Sequence, residues 1–327
     1  MKLRAVIAAS TAALLLAACS SGDDSEPDPD QKDGSELVQS SPLTGERLED
    51  GLPQNAPLAV KIDNTSAGAP QVGLDRADLV VEETVEGGAT RLAAIFYSDM
   101  PEEVGHVRSL RATDIGIAKP ANAHVVASGG AGQTMDRMRQ AEVPVVSEDG
   151  GNGGFSRQPG KGAPYNVLAN LAQISGDLGP IAPTVPYLPW AENEEDATSS
   201  ETAATTATVR FAPFHTTEWA HGDGGWTRSN GIADPEFTAR NLIVLFADER
   251  DAGYTDPAGN PVPETDFVGE GRAVVFAGGS VIEGAWSKED HGSQIQLADA
   301  EGNAIQLAPG KSWIELVNNS TADVSWG

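Results

Sequence analysis

His124-Val125-Val126-Ala127-Ser128-Gly129-Gly130-Ala131-Gly132 is the stretch that decides the fold class. An apolar strand runs into a glycine-rich turn. Thr134 to Ala141 follows with helical spacing, and Val143-Pro144-Val145-Val146 reads as another strand. Strand, glycine loop, helix, strand is the unit of an α/β or α+β fold. Upstream, Leu58-Ala59-Val60-Lys61-Ile62 reads as a buried strand ending at Asp63-Asn64. Asp78 to Glu82 and Arg91 to Tyr97 flank Gly87-Gly88 as two strands joined by a turn, and Val167 to Ile174 is predicted as a further helix.

Downstream the pattern changes. Residues 192–207 are acidic and then rich in Thr and Ala, without apolar periodicity, and read as a surface loop or linker. Beyond it, Thr208–Phe211, Asn241–Ala247, Gly271–Ala277, Ser280–Ser287, Ser293–Leu297, Ala304–Leu307 and Ser312–Val317 have strand lengths and glycine-rich turns. The sequence thus predicts a mixed α/β N-terminal domain over residues 42–191 and a smaller β-rich C-terminal domain over residues 208–327.

The first 18 residues have a different character. Lys2 and Arg4 precede an apolar run from Ala5 to Ala18, which ends in Leu14-Leu15-Leu16-Ala17-Ala18-Cys19. A charged start, a short apolar middle and small residues before a cut describe a secretory signal peptide. The run has 14 residues, short of the about 20 that span a bilayer. Cys19 is the only cysteine, and its place after the small pair resembles a lipobox. That resemblance implies cleavage before Cys19 and a lipid on its sulfur, which places the protein on the extracytoplasmic face of the cell membrane. Residues 19–41 carry Asp23, Asp24, Glu26, Asp28, Asp30, Asp33 and Glu36 against Lys32, with little to bury. They read as a disordered acidic tether reaching roughly 75 Å when stretched.

Composition excludes several functions. The chain has a net charge of −27, which repels nucleic acid and anionic membrane surfaces. A single cysteine allows no intramolecular disulfide and no cysteine-based zinc site. Gly-x-Ser-x-Gly, Ser-x-x-Lys and His-Glu-x-x-His are all missing, and Gly310-Lys311-Ser312 lacks the earlier glycine of a phosphate loop. In His215-x-x-Glu218-x-x-His221 a strand would turn Glu218 away from both histidines, so no metal site is assigned. No catalytic residue and no cofactor is assigned either. Trp286 and Trp313 read as core residues rather than a sugar platform.

Two constellations remain. Ser128, Gly129 and Gly130, between strand and helix, can turn backbone N–H groups on an anion, or can simply make a tight turn. Arg91, Arg108 and Arg111 lie within 21 residues in an acidic chain. Their forks suit carboxylates or phosphates. Their partners are either an anionic ligand or an internal network with Asp63, Asp78, Glu82, Glu83 and Glu86. His106 nearby reads as a proton carrier or a surface histidine.

Taken in order, several motifs resemble the YerB-like family of bacterial envelope lipoproteins, whose domains have no known function. They are Pro42-Leu43-Thr44-Gly45, Ala59-Val60-Lys61-Ile62-Asp63-Asn64, Pro70-Gln71-Val72-Gly73-Leu74, Glu86-Gly87-Gly88-Ala89-Thr90-Arg91, Val104 to Arg111, Ser128-Gly129-Gly130, Ala163-Pro164-Tyr165-Asn166, Gly284 to Lys288 and Pro309 to Glu315. The resemblance spans about Pro42 to Val317 and implies two domains without an established activity. The family pattern has proline at His106 and histidine at Tyr165. Tyrosine, with a pKa near 10, is a poor base at neutral pH, which weakens a hydrolase reading. The resulting expectation is non-catalytic binding of a polar or anionic envelope ligand, or of an envelope protein. Arg91, Arg108 and Arg111 would pair with charge, Ser128, Gly129 and Gly130 would donate, and Asp63, Asn64, Glu86 and Asn166 would orient the rest. The alternatives are a glycan-processing hydrolase using carboxylates such as Asp63 and Glu86, and a purely structural lipoprotein.

Overall fold

Ten strands from both halves of the chain form a single sheet. The structure, a computed structural model, describes residues 39–327. The first half contributes β1 (Leu58–Asp63), β2 (Leu79–Thr84), β3 (Thr90–Phe96), β4 (His124–Ala127) and β5 (Val145–Ser147). In the second half, β6 (Thr206–Ala212), β7 (His215–Gly222), β8 (Gly225–Arg228) and β9 (Thr238–Ala239) precede β10 (Asn241–Ala247), β11 (Gly269–Ala277) and β12 (Ser280–Lys288). β13 (Gln296–Asp299), β14 (Ser312–Asn318) and β15 (Asp323–Trp326) complete the chain. The large sheet has the order β13-β12-β11-β10-β14-β2-β3-β1-β4-β5, and a second sheet has the order β9-β8-β7-β6-β15.

β14 pairs in parallel with both β10 and β2, which welds the halves together. β1 and β2 are each antiparallel to β3 and so share a direction, and β4 and β5 run parallel to β1. The carboxyl ends of β1, β2, β4, β5, β10 and β14 therefore gather at one edge. In open α/β sheets that edge is where ligands bind.

Both faces of the large sheet are covered, so its central strands read as continuous apolar runs rather than alternating ones. On one face Val60, Val80, Leu92, Val244 and Trp313 pack against Val209, Trp219 and Trp226 of the five-stranded sheet and against Phe237, which precedes β9. On the other, Ala59, Val81, Ile95, Ile243 and Ile314 meet α1 (Asp114–Ala118), Tyr187, Leu188, Phe267 and Leu307. Trp313 is fully buried beside Trp219, at 5.1 Å between ring centres and 71°, and Trp286 is also buried. α2 (Gly132–Gln140) and α3 (Leu171–Leu178) are the other α-helices among the described residues.

Several sequence readings change. Gln39–Ser40, read as the end of the tether, pairs with Arg47–Leu48. Val167 to Ile174 is not one helix. Val167–Ala169 is a strand pairing with Val104–Gly105 and Phe155–Arg157, and Asn170 then caps α3 by accepting from the Gln173 N–H at 2.8 Å. The end of the 192–207 stretch is core, since Ala204 and Ala207 are buried and β6 starts at Thr206. Segment 1–18, Cys19 and residues 20–38 lie outside the described residues.

Candidate functional site

Alternation along a strand sends neighbouring side chains to opposite faces. It splits the charges at the carboxyl edge into two layers. Lys61, Asp63, Glu83 and Arg91 share the parity of Ala59, Val81 and Ala93 and lie on the face covered by α1. Glu82, Thr90 and Glu315 share the parity of Val80, Leu92 and Trp313 and lie under the five-stranded sheet.

The α1 layer holds the three predicted arginines. Arg91 stands in register with Asp63 on one side and Glu83 on the other. Its Nη2 donates to Glu86 Oε1 at 3.1 Å and its Nη1 to the Ser109 carbonyl at 2.9 Å. Arg111 grips the same carboxylate from two nitrogens, Nε reaching Oε2 at 2.9 Å and Nη2 reaching Oε1. Glu86 can turn back because Gly87 and Gly88 have φ of 74° and 73°, values that favour glycine. Burial raises the Glu86 carboxyl, but the Arg111 hydrogen bond and the Arg91 and Arg111 charges outweigh it and hold it below its ordinary value. Such a group is a poor general acid. Burial, then the neighbouring charge of Arg111, pulls Arg91 down to about 10. Deeper in, Lys61 Nζ bridges Glu83 at 2.5 Å and Asp114 at 2.8 Å, all three fully enclosed.

Arg108 is held differently. Its Nη1 donates to Asp63 Oδ2, whose other oxygen accepts from the Thr65 N–H at 2.8 Å and the Thr65 hydroxyl at 2.6 Å. The guanidinium lies over the Tyr165 ring at 4.7 Å. Among the described residues its Nε and Nη2 meet no acceptor, and its side chain is 16% exposed against 7% for Arg91 and 8% for Arg111.

The glycine loop lies alongside. The Ser128 N–H donates to the Arg108 carbonyl at 3.0 Å, and the Leu110 N–H donates to Gly129 at 3.0 Å. Asp149 fills the space in front of Gly129, where an added Cβ would come within 3 Å of the carboxyl carbon. Asn166 anchors the neighbouring loop, donating to the Lys161 carbonyl at 3.0 Å and accepting from Arg157 at 2.9 Å. His106 is buried between the Gly68 carbonyl and Gln158, at 2.7 and 2.5 Å. Asn64 is not with the arginines. It lies in the other layer, donating to Glu82 at 2.9 Å and accepting from Gln71 at 3.0 Å and Arg228 at 3.1 Å.

The sequence reading also places Glu82 among the partners of the arginines, yet it lies in this second layer. Glu82 Oε1 accepts from Asn64, from Thr90 at 2.7 Å and from Thr217 at 3.2 Å, and it meets His215 Nε2 at 3.0 Å. Glu315 pairs in register with Glu82 and accepts from Trp219 Nε1 at 2.7 Å. His215 and His221 lie on one face of β7 and the exposed Glu218 on the other. Among the described residues no cluster of three His, Cys, Asp or Glu side chains is placed to hold a metal. The members of the second layer lie far apart in the chain, Asn64 and Glu82 in the first half and His215 and Glu315 in the second, so the sequence shows them singly and not as a group.

A family model described as the N-terminal domain of a protein of unknown function (DUF3048) matches residues 43–180, and the model of its C-terminal domain matches residues 206–314. The chain belongs to the DUF3048 family. A relative from Bacillus subtilis (strain 168) with the printed name "Putative lipoprotein YerB" is 28% identical over 299 residues, covering 88% of this chain and 89% of that one. A crystal structure of the Bacillus subtilis YerB protein superposes with a TM-score of 0.73, 24% identity, and coverage of 88% of this chain and 99% of that chain. The DUF3048 fold is thus shared. It is strand-rich, with two family domains, mixed sheets and few helices. The weld between β14 and β2 joins the two DUF3048 domains edge to edge.

Proposed function

We propose that this protein is a lipid-anchored extracytoplasmic binding protein that holds an anionic group, without catalysis, at the outer face of Arg108. The half-used guanidinium of Arg108 carries this reading. One edge is fixed by Asp63 and one face is stacked on Tyr165, while Nε and Nη2 stay free for a bidentate carboxylate or phosphate. The location at the carboxyl edge of the sheet supports it. Arg91, Arg111 and Glu86 serve as scaffold, since each is paired with another and largely buried. The anchor rests on Cys19 and its lipobox-like context, and the lipoprotein name of the relative supports it. No helix among the described residues is long and apolar enough to cross a membrane.

Titration calorimetry of the full chain in detergent, with inorganic phosphate and with galacturonate, tests the site. Arg108→Met should weaken the better ligand about tenfold or more, with the unfolding midpoint little changed. Equal binding by wild type and variant, or no binding of either anion, would overturn the site. Fractionation of cells carrying Cys19→Ala tests the anchor separately, with loss from the membrane fraction as the expected result.

A further inference from the structure

Phe214 is fully exposed, alone in this among the large apolar side chains of the described residues. It sits with Pro213 in the two-residue connection between β6 and β7, whose flanking residues Ala212 and His215 are paired. Such tight connections favour Gly, Asn and Asp for their backbone freedom. Phenylalanine contributes nothing of that kind, so the turn does not account for it.

Beside this tip lies a groove of about 410 Å³. It is lined by Phe211 and Pro213, by Pro261, Val262 and Pro263, and by Val85. Prolines make these walls stiff and the groove preformed. Its charge is acidic. Glu249 and Asp251 line it, and the guanidinium of the third charged residue, Arg250, is taken up by Asp266 and by Glu264 at 2.7 Å. Two atoms of lining residues, Glu249 Oε2 and Thr84 Oγ1, are shut off from solvent and have no hydrogen-bond partner among the described residues.

We infer that the Pro213–Phe214 tip and this groove dock a segment of a partner protein that places a lysine or arginine beside apolar side chains. Phe214 would pack on the apolar part, and the cation would draw Glu249 out to a partner. The net charge of −27 favours a cationic segment and disfavours an anionic bilayer as the surface that Phe214 meets. This site is separate from Arg108 and stands or falls without it.

The probe is a short fluorescent peptide of alternating leucine and lysine, with a leucine–glutamate peptide as control. Both are titrated by anisotropy against the full chain in detergent at physiological ionic strength, with empty micelles subtracted. The lysine peptide should bind and the glutamate peptide should not. Phe214→Ser, which leaves the charge unchanged, should weaken binding about tenfold, and Glu249→Gln should weaken it measurably, with unfolding midpoints retained. Equal binding by wild type and Phe214→Ser would overturn the inference, because overall charge would then account for the attraction. Absence of peptide binding would overturn it too. A wild-type dimer in sedimentation that Phe214→Ser dissociates would assign the tip to a second copy of this chain and overturn the partner.

Discussion

Glu82 and Glu315 stand side by side in the parallel pairing of β2 with β14, fully buried at the weld between the two halves of the chain. Burial opposes ionisation of both, and two adjacent carboxylates cannot both be charged cheaply. The surroundings decide which one keeps the proton. Burial raises Glu82, but the hydrogen bond and charge of His215, the charge of Arg228 and the Thr90 hydroxyl together bring it below its ordinary value. Glu315 is held well above, by burial and then by the Glu82 charge. With Glu315 raised and Glu82 lowered, a proton kept on Glu315 has the Glu82 carboxylate beside it in the ladder as its acceptor.

A raised folded-state value means that Glu315 contributes fully below the unfolded carboxyl value and loses its contribution as pH rises through the folded value. Glu315→Gln donates an N–H at every pH and still accepts from Trp219. It should lie closest to wild type at about pH 3.5, below the unfolded carboxyl value, and exceed it increasingly toward about pH 9, by about 1–3 kcal/mol or more. Glu82→Gln faces donors with another donor and should cost about 3 kcal/mol across the range. Urea unfolding at a series of pH values reads both. A constant difference between Glu315→Gln and wild type would refute the shared proton.

Glu86 is the single carboxylate that Arg91 and Arg111 share. Glu86→Ala leaves two largely buried guanidinia facing each other. The expected loss is about 2–3 kcal/mol at pH 7, below the figure for a fully enclosed pair because Glu86 keeps some contact with water. Its folded value is lowered, so its contribution is present above the ordinary carboxyl value and fades as pH falls through the folded one. The gap to wild type should therefore narrow in acid. Adding Arg111→Met should recover part of the loss, and an additive double variant would disprove the shared grip.

The legible parts of this molecule were local. Leu58 to Ile62, Asn241 to Ala247 and the strand–glycine–helix unit around Ser128 all show in the order of residues, because burial on both faces leaves unbroken apolar runs. β7, by contrast, runs His-Thr-Thr-Glu-Trp-Ala-His-Gly, and three of its four inward residues, His215, Thr217 and His221, are polar. The pairing of β2 with β14 joins residues more than two hundred positions apart and leaves no local mark. The same limit applies to the site. Arg91, Arg108 and Arg111 looked related because they are close in sequence. Asn64 looked like a companion of Asp63, yet it serves Glu82 on the other side of the sheet.

Gly68 supports Arg108 through Asp63. A Cβ at Gly68 would lie 2.5 Å from Asp63 Oδ1 and 2.7 Å from its Cβ, so Gly68→Ala must move the carboxylate. The Gly68 carbonyl also meets His106 Nδ1 at 2.7 Å. The expected cost is about 1–3 kcal/mol from overpacking. A structural loss alone would stop there. Release of Arg108 should in addition speed its modification by phenylglyoxal, read by mass spectrometry, while Arg91 and Arg111 stay protected. Unchanged Arg108 reactivity would count against the Asp63 clamp.

Lys288 is a buried amine, 2% exposed. Its buried Nζ donates to the carbonyls of Asp290 at 2.7 Å and His291 at 2.6 Å. A neutral amine has two N–H bonds and matches these two acceptors, whereas an ammonium has a third. Burial pushes the group down to about 7, with Asp290 opposing and Lys119 adding to the fall. Between that value and about 10.4, the ordinary lysine value, the unfolded chain binds the extra proton and the folded chain does not. This group should therefore make wild type more stable as pH rises from 7 to 10, with no further gain beyond. Lys288→Met removes the titration, along with the Nζ that lies 5.5 Å from the centre of the Phe267 ring, and keeps an unbranched apolar side chain in its place. It also leaves two carbonyls to water, at a cost of about 1–3 kcal/mol that does not depend on pH. The stability difference, wild type minus Lys288→Met, should climb across that window in urea titrations. A flat difference would mean that Lys288 stays charged in the fold, with its third proton on an acceptor that this geometry does not provide.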